Sequence, residues 1–244
     1  MKLTKTAFYM SLALAVSACG EKPTVEGHLA NAEKAQAENK VKESEIELKN
    51  AIKLDPNNAE ARFQFGLLYL SQGAGLNAVK ELEKAQSLKY NESKLLALLA
   101  RAYLISDDFE GVLELAEKAE ALPNESKVEY LSYKTLSAIR TNQLDLAKRS
   151  SELANELVAG NPHSMLAKGY LALLDGKLDR ALSFTEKSLS LNSENPEALM
   201  FQGQVLAQMQ DFENASKSYK KYAELQPQSR IIYLVLADTL IKTE

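Results

Sequence analysis

The sequence predicts an all-α fold in which pairs of helices repeat and stack along one axis. Small or compact residues recur about every 34 positions, and a second series follows about 12 positions behind the first. Between them the apolar residues keep helical spacing, as at Phe63, Leu67 and Leu70. The first series is Ala32, Gly66, Ala100, Thr135, Gly169, Gly203 and Ala237, and the second is Ser44, Ala78, Val112, Ala147, Ala181 and Ala215.

The predicted helices form six pairs plus part of a seventh over residues 25–244. Short polar or glycine-containing segments end the first helix of a pair, because such residues favour turns. Segments that in most cases contain proline join one pair to the next, since proline fits the end of one helix or the first turn of the following one. Turns are predicted at 71–73, 106–108 and 175–177, and joins at 55–58, 122–124, 160–162, 195–196 and 226–227.

The first 18 residues have the layout of a secretory signal peptide. Lys2 and Lys5 precede an apolar stretch over 7–16, and small residues lead up to Cys19. The apolar stretch is shorter than the roughly 20 residues that cross a bilayer, so we expect a removed peptide. An ordinary cleavage site that leaves a free thiol, and an uncleaved anchor, stay open as alternatives.

Residues 16–19 resemble the bacterial lipobox. The resemblance implies that the Cys19 sulfur is lipidated and that this residue becomes the new amino terminus, with residues 19–24 as a short tether to the membrane. Three acyl chains would make the attachment effectively permanent, since each buried methylene contributes about 0.8 kcal/mol. Gly20 stands where an aspartate would favour the inner membrane, so the expected location is the periplasmic leaflet of the outer membrane.

The repeat pattern resembles the tetratricopeptide repeat family. Gly66, Tyr69, Ala78, Leu82 and Ala85 keep the spacing of that family, and so do Gly203, Ala215, Tyr219 and Pro227. The resemblance implies a right-handed superhelix in which the small residues of each pair face each other where two helices cross closely. Thr135 and Val112 depart from the usual small residues, so looser packing is expected in the third and fourth repeats.

The composition excludes several classes of function. A chain of 244 residues that is 45% apolar and 25% charged can bury a core and is not of the disordered type. Its formal net charge of -4 provides no basic face for nucleic acid. Cys19, His28 and His163 are too few for an internal disulfide or a four-ligand zinc site, so neither a structural metal nor a cofactor is expected.

Two short motifs suggest chemistry, but their context argues against it. Residues 73–78 fit the relaxed form of a dinucleotide-binding loop, yet the preceding segment predicts a helix where that loop needs a strand. Residues 218–221 match S-x-x-K without any companion motif, and both histidines stand at predicted helix starts, where an exposed or capping histidine is common. We therefore predict a protein that is not an enzyme; a longer chain with a further, chemical domain stays open as the alternative.

In the tetratricopeptide family the first helix of each pair lines a concave groove. Carried over to this sequence, the resemblance implies a groove that binds an extended peptide or a partner helix. About half of the lining residues are expected simply to pack the superhelix. The clamp for a terminal carboxylate is expected to be absent, because other residues fill its lysine and asparagine positions. The candidate contacts are Phe63, Leu67, Arg101, Leu136, Tyr170, Met200 and Gln204.

A closer resemblance lies in residues 45–63, 79–85 and 95–104, together with the lipobox. These segments are similar to the repeat lipoprotein encoded beside exosortase and PEP-CTERM sorting systems, a family that is usually much longer. The resemblance implies a membrane-anchored, noncatalytic protein-interaction scaffold in the bacterial periplasm that serves surface-protein sorting and exopolysaccharide export. The alternative is a repeat lipoprotein for outer-membrane protein assembly or type IV pilus biogenesis.

Overall fold

The computed structural model describes residues 23–242, and it is helical throughout. The predicted signal peptide at 1–18, the lipidation site Cys19 and most of the tether lie outside the described residues. The helices are α1 (Val25–Ala37), α2 (Val41–Leu54), α3 (Ala59–Gln72), α4 (Gly75–Ser87), α5 (Glu92–Ile105), α6 (Phe109–Glu114), α7 (Ala116–Ala119), α8 (Asn124–Arg140), α9 (Leu144–Leu157), α10 (Pro162–Leu174), α11 (Leu178–Leu191), α12 (Pro196–Gln208), α13 (Phe212–Leu225) and α14 (Arg230–Ile241).

These helices confirm the predicted architecture of six pairs followed by one further first helix. Successive helices pack as α1 with α2, α3 with α4, α8 with α9, α10 with α11 and α12 with α13, and each pair also packs on the next. The third pair consists of α5 with the two short helices α6 and α7. Among the described residues no helix is both long enough and apolar enough to cross a membrane.

Local sequence sets where the helices begin and end. Asparagine side chains cap the first helices of four pairs; Asn195, for example, accepts a hydrogen bond from the backbone N–H of Ala198 at 3.0 Å. Pro162 and Pro196 occupy first turns, where a missing N–H costs nothing. Each turn within a pair contains one residue in the left-handed conformation: Asn39, Gly73, Asp107, Asn142, Gly176 and Gln210.

The small residues of the repeat lie where paired helices touch. A Cβ atom added to Gly66 would come within 2.6 Å of the Leu82 side chain, and one added to Gly203 within 2.3 Å of the Tyr219 ring. Thr135, an exception in the series, is fully buried and donates a hydrogen bond to the Leu131 carbonyl at 2.8 Å. The fourth pair therefore accepts the larger residue without leaving its hydroxyl unpaired.

The third pair departs from the regular pattern. Its second helix is interrupted at Leu115, between the end of α6 and the start of α7, whereas α9 of the fourth pair is continuous. Val112 is fully buried in α6, and its carbonyl accepts a hydrogen bond from the Tyr130 hydroxyl at 3.2 Å. The looser packing expected for these two repeats stays a prediction; the irregularity that the third pair shows is its broken second helix.

Candidate binding groove

The first helices of the pairs line two adjoining cavities on the concave face. The inner cavity has a volume of about 190 Å³ and the outer one about 440 Å³. Five residues line both cavities and define what we call the binding groove: Leu136, Arg140, Tyr170, Phe201 and Gln204.

The inner cavity has walls from distant parts of the chain. Its lining includes Leu104 and Ile105 at the end of α5, Phe109 at the start of α6, and Ile231 and Val235 of α14. Most of these side chains are apolar, so the cavity favours apolar groups of a ligand over charged ones.

The structure brings together four of the predicted contact residues. Leu136, Tyr170, Met200 and Gln204 all line the inner cavity. Neither Phe63 nor Leu67 is among the lining residues of either cavity. Phe63 is buried and stacks on Tyr90 with ring centroids 4.2 Å apart, and Leu67 packs against the same core cluster. That these residues touch a partner stays a prediction.

Arg101, the remaining predicted contact, forms an ion pair across the concave face. Its Nε lies 2.6 Å from Oε1 of Glu197, and both side chains are largely buried. Burial alone would lower the pKa of Arg101, but the negative charge of Glu197 and the proximity of Tyr133 more than offset this and raise it. Glu197 lies in the first turn of α12, where the helix dipole favours a carboxylate. The pair joins the third repeat to the sixth.

Tyr170 contributes a buried hydroxyl to the groove, beside the apolar Leu136 and Phe201. It is 4% exposed, and its ring meets Phe201 edge to face with centroids 4.6 Å apart. Burial raises the pKa of Tyr170 well above its ordinary value, so the hydroxyl stays neutral. The Tyr170 hydroxyl forms no hydrogen bond with another described residue. The hydroxyl can therefore donate a hydrogen bond to a bound ligand.

Sequence reasoning missed the charged member of the groove, Arg140. Its guanidinium lies over the Phe109 ring, 5.8 Å from the centroid, and no acidic side chain among the described residues is within ion-pair distance. A signal for it existed, because Arg140 follows Leu136 by four positions and so shares its helix face. Ile231 and Val235 belong to the run 231–236, which is apolar nearly all round and is itself a signal of an interface, whereas Phe109 has no comparable signal.

The motifs that suggested chemistry have structural roles. Gly73 ends α3 and Gly75 begins α4, so residues 73–78 join two helices rather than a strand and a helix. Ser218 donates to Gln202 at 2.8 Å and to the backbone of Asn214 at 3.2 Å. Within residues 23–242 no cluster of His, Cys, Asp or Glu has the arrangement of a metal site.

Both histidines lie outside the groove. His28 Nδ1 is 2.5 Å from a carboxylate oxygen of Glu47, which ties α1 to α2. The ring of His163 meets Tyr133 edge to face with centroids 6.1 Å apart. Neither residue lines the two cavities.

Comparison with known families and structures identifies the fold. Residues 196–229 match the tetratricopeptide repeat family, and a comparison with curated proteins gave no match. The solved structures similar to this chain include PilW, a widely conserved type IV pilus biogenesis factor (TM-score 0.54, 15% identity, covering 87% of this chain and 98% of PilW). Pseudomonas aeruginosa PilF is similar to the same degree (TM-score 0.52, 14% identity, covering 88% and 97%).

A third similar structure is the APC/C hetero-tetramer Cut9–Hcn1 (TM-score 0.58, 14% identity, covering 89% of this chain). The present chain spans 43% of the Cut9–Hcn1 chain that it matches, but nearly the whole of PilW and PilF. At such low identity the likeness shows the fold alone. The chain has a tetratricopeptide superhelical fold, the architecture of protein-interaction scaffolds.

Proposed function

We propose that this tetratricopeptide-repeat chain is a noncatalytic scaffold that binds a segment of another protein in the binding groove while anchored to the periplasmic membrane surface. The observation that carries the proposal is the continuous lining of the two cavities by successive first helices, α8, α10 and α12. A surface built by successive repeats matches a ligand that extends over several repeats.

The chemistry of the groove indicates the chemistry of its partner. Apolar residues line most of both cavities, and Glu197, which lines the inner one, is already paired with Arg101. Arg140 is an exposed cation that forms no ion pair with a described residue, although Asp107 lines the same cavity. A segment with several apolar side chains and one acidic side chain opposite Arg140 fits this arrangement.

One cellular setting for such a scaffold is exosortase-linked protein sorting and exopolysaccharide export. The support is the similarity of residues 45–63 to the repeat lipoproteins of those systems, together with the lipobox at Cys19. In this setting the groove would gather sorting or export proteins at the outer membrane.

The second setting is type IV pilus biogenesis. It is favoured by the likeness to PilW and PilF, each of which is matched over nearly its full length. The two settings share the groove and differ in the protein that occupies it.

Site-specific photo-crosslinking in intact cells tests the groove and distinguishes the settings. A photoreactive residue at Met200 should give a discrete adduct, whereas one at Leu191, exposed on α11 and outside both cavities, should not. Mass spectrometry of the adduct then identifies either sorting and export components or pilus proteins. Arg140→Gln should reduce the yield of the Met200 adduct. Equal adducts at both positions would contradict a partner in the groove.

The membrane anchor is tested by Cys19→Ser. We expect this change to leave helicity and thermal stability intact and to abolish membrane retention, because it removes the atom that would carry the lipid. Cell fractionation with immunoblotting measures the retention. Persistence of the variant in the detergent-soluble membrane fraction would contradict lipidation at Cys19.

A further inference from the structure

Two turns that are far apart in sequence meet across the concave face. The backbone N–H of Gln228 donates to the Gln72 carbonyl at 2.8 Å, and the side-chain amide of Gln228 donates to the side chain of Gln72. The contact joins the turn after α3 to the turn before α14. We call the residues that form it the latch: Gln72, Gly73, Gln226, Gln228 and Ser229.

Gly73 lets the two turns approach this closely. Its φ of 75° is in the left-handed region, and an added Cβ would lie 2.9 Å from Gln226 Oε1 and 3.2 Å from the Ser229 Cβ. Gly176 occupies the equivalent turn between α10 and α11 with a φ of 72°, and an added Cβ there would meet nothing within 4 Å. The backbone requirement is thus the same at both glycines, and the close contact is specific to Gly73.

The latch is polar and incompletely paired. Gln72 Nε2 and Gln226 Oε1 are buried, and neither has a hydrogen-bond partner among the described residues. Buried polar groups without partners lose their hydration and gain nothing in return. Closing the latch therefore stabilises the chain less than a fully paired or apolar contact would. Opening it costs correspondingly little free energy.

The latch holds the two walls of the inner cavity together. On one side Gly75 packs on the end of α5, where an added Cβ would be 2.9 Å from the Ile105 backbone. On the other side Ser229 immediately precedes α14, which carries Ile231 and Val235. Separating the latch removes the hydrogen bonds that hold the start of α14 to the end of α3, while α14 keeps its packing on α13, where Ile232 is fully buried.

We propose that the latch is a gate for the binding groove. A partner segment enters the inner cavity when the latch opens and α14 moves away from the end of α5, and closure of the latch then holds it between the two walls. This proposal rests on the proposed function, which supplies the kind of segment that enters the cavity. The test below uses no partner, so its failure and the failure of the proposed function are distinguishable.

The test compares Gly73→Ala with its matched control Gly176→Ala. Both are made in the full-length chain carrying Cys19→Ser and Met200→Cys, so that one thiol remains, in the inner cavity. Amide deuterium uptake of residues 226–229 reports opening of the latch, because the Gln228 N–H is bonded across it. The rate of maleimide labelling at residue 200 reports access to the cavity.

Gly73→Ala should raise both the uptake rate and the labelling rate by about tenfold, the change expected when roughly one hydrogen bond's net contribution is lost. Gly176→Ala should leave both near the parent values. The gate is overturned if Gly73→Ala changes neither rate, if it raises the uptake without the labelling, or if the two alanine variants behave alike.

A disulfide provides a second test that does not depend on the folding of Gly73→Ala. In the full-length Cys19→Ser chain with Gln72→Cys and Gln228→Cys, oxidation fixes the latch closed and reduction releases it. Deuterium uptake over 230–241, the residues of α14, should fall several-fold on oxidation of the same sample. Equal uptake in the oxidised and reduced chain would show that the latch does not control α14, and the gate would be overturned.

Discussion

At the scale of single residues, burial against Gly203 raises the pKa of Tyr219. Its side chain is 2% exposed and packs where a Cβ on Gly203 would otherwise lie. Burial disfavours the phenolate and, with a smaller effect from Asp238, raises the pKa of Tyr219 to about 12. The folded chain therefore holds this proton at a pH where the unfolded chain has released it.

Stability should fall as the pH rises from about 10, the ordinary tyrosine pKa, towards 12. In this window the folded state binds more protons than the unfolded state, so the contribution of Tyr219 falls by about 1.4 kcal/mol per pH unit. Denaturant unfolding of Tyr219→Phe should show a shallower loss over the same window than the wild type. The comparison at pH 8 is the control, and identical slopes above pH 10 would contradict the prediction.

At the scale of elements, the small residue of each first helix sets how closely its pair can cross. Gly203 of α12 lies against the aromatic ring of Tyr219 in α13, and Gly66 of α3 lies against Leu82 in α4. The third pair shows that the pattern tolerates exceptions, since its second helix breaks at Leu115 while its core remains buried. Close crossing is thus a property of individual pairs.

Gly203→Leu should destabilise the sixth pair by about 3 kcal/mol, because overpacking a rigid ring forces the two helices apart. The thermal midpoint and the helical circular dichroism signal measure the effect. Gln208→Leu, which adds the same side chain at an exposed position of α12, is the matched control and should change little. Unchanged melting of Gly203→Leu would contradict the close crossing.

At the scale of the whole molecule, the superhelix is closed by contacts between pairs that are not neighbours. Arg101 and Glu197 join the third pair to the sixth, and the latch joins the second pair to the start of α14. A solenoid usually relies on contacts between adjacent repeats, which makes its ends nearly independent. In this chain direct contacts also couple the third pair to the sixth and the second pair to the start of α14, while the first pair takes part in neither contact.

Glu197→Ala should lower the free energy of unfolding by about 3–5 kcal/mol, since it leaves the Arg101 guanidinium buried and unpaired. Urea titration measures the change. The double variant Arg101→Leu and Glu197→Leu removes both charges and should recover most of the loss. A single variant as stable as the wild type would mean that the ion pair contributes nothing to closure.

The sequence by itself determined the helical repeats and their local contacts. The period of the small residues, the asparagine and proline at helix starts and the apolar spacing are local signals, and the structure confirms the pairs that they predict. The first-helix positions also include Leu136, Tyr170, Met200 and Gln204, which line the inner cavity; their contact with a partner stays a prediction. These features depend on residues within one or two repeats, so a local pattern is enough to encode them.

Only the tertiary structure decided how pairs that are not neighbours in sequence meet. It placed Phe63 in the core against Tyr90, gave Arg101 a partner 96 residues away and brought Ile231 and Ile105 into the lining of one cavity. The physical reason is that curvature is the sum of small rotations between successive pairs. No single repeat encodes that sum, so contacts across the concave face cannot be predicted from the pattern of any one repeat.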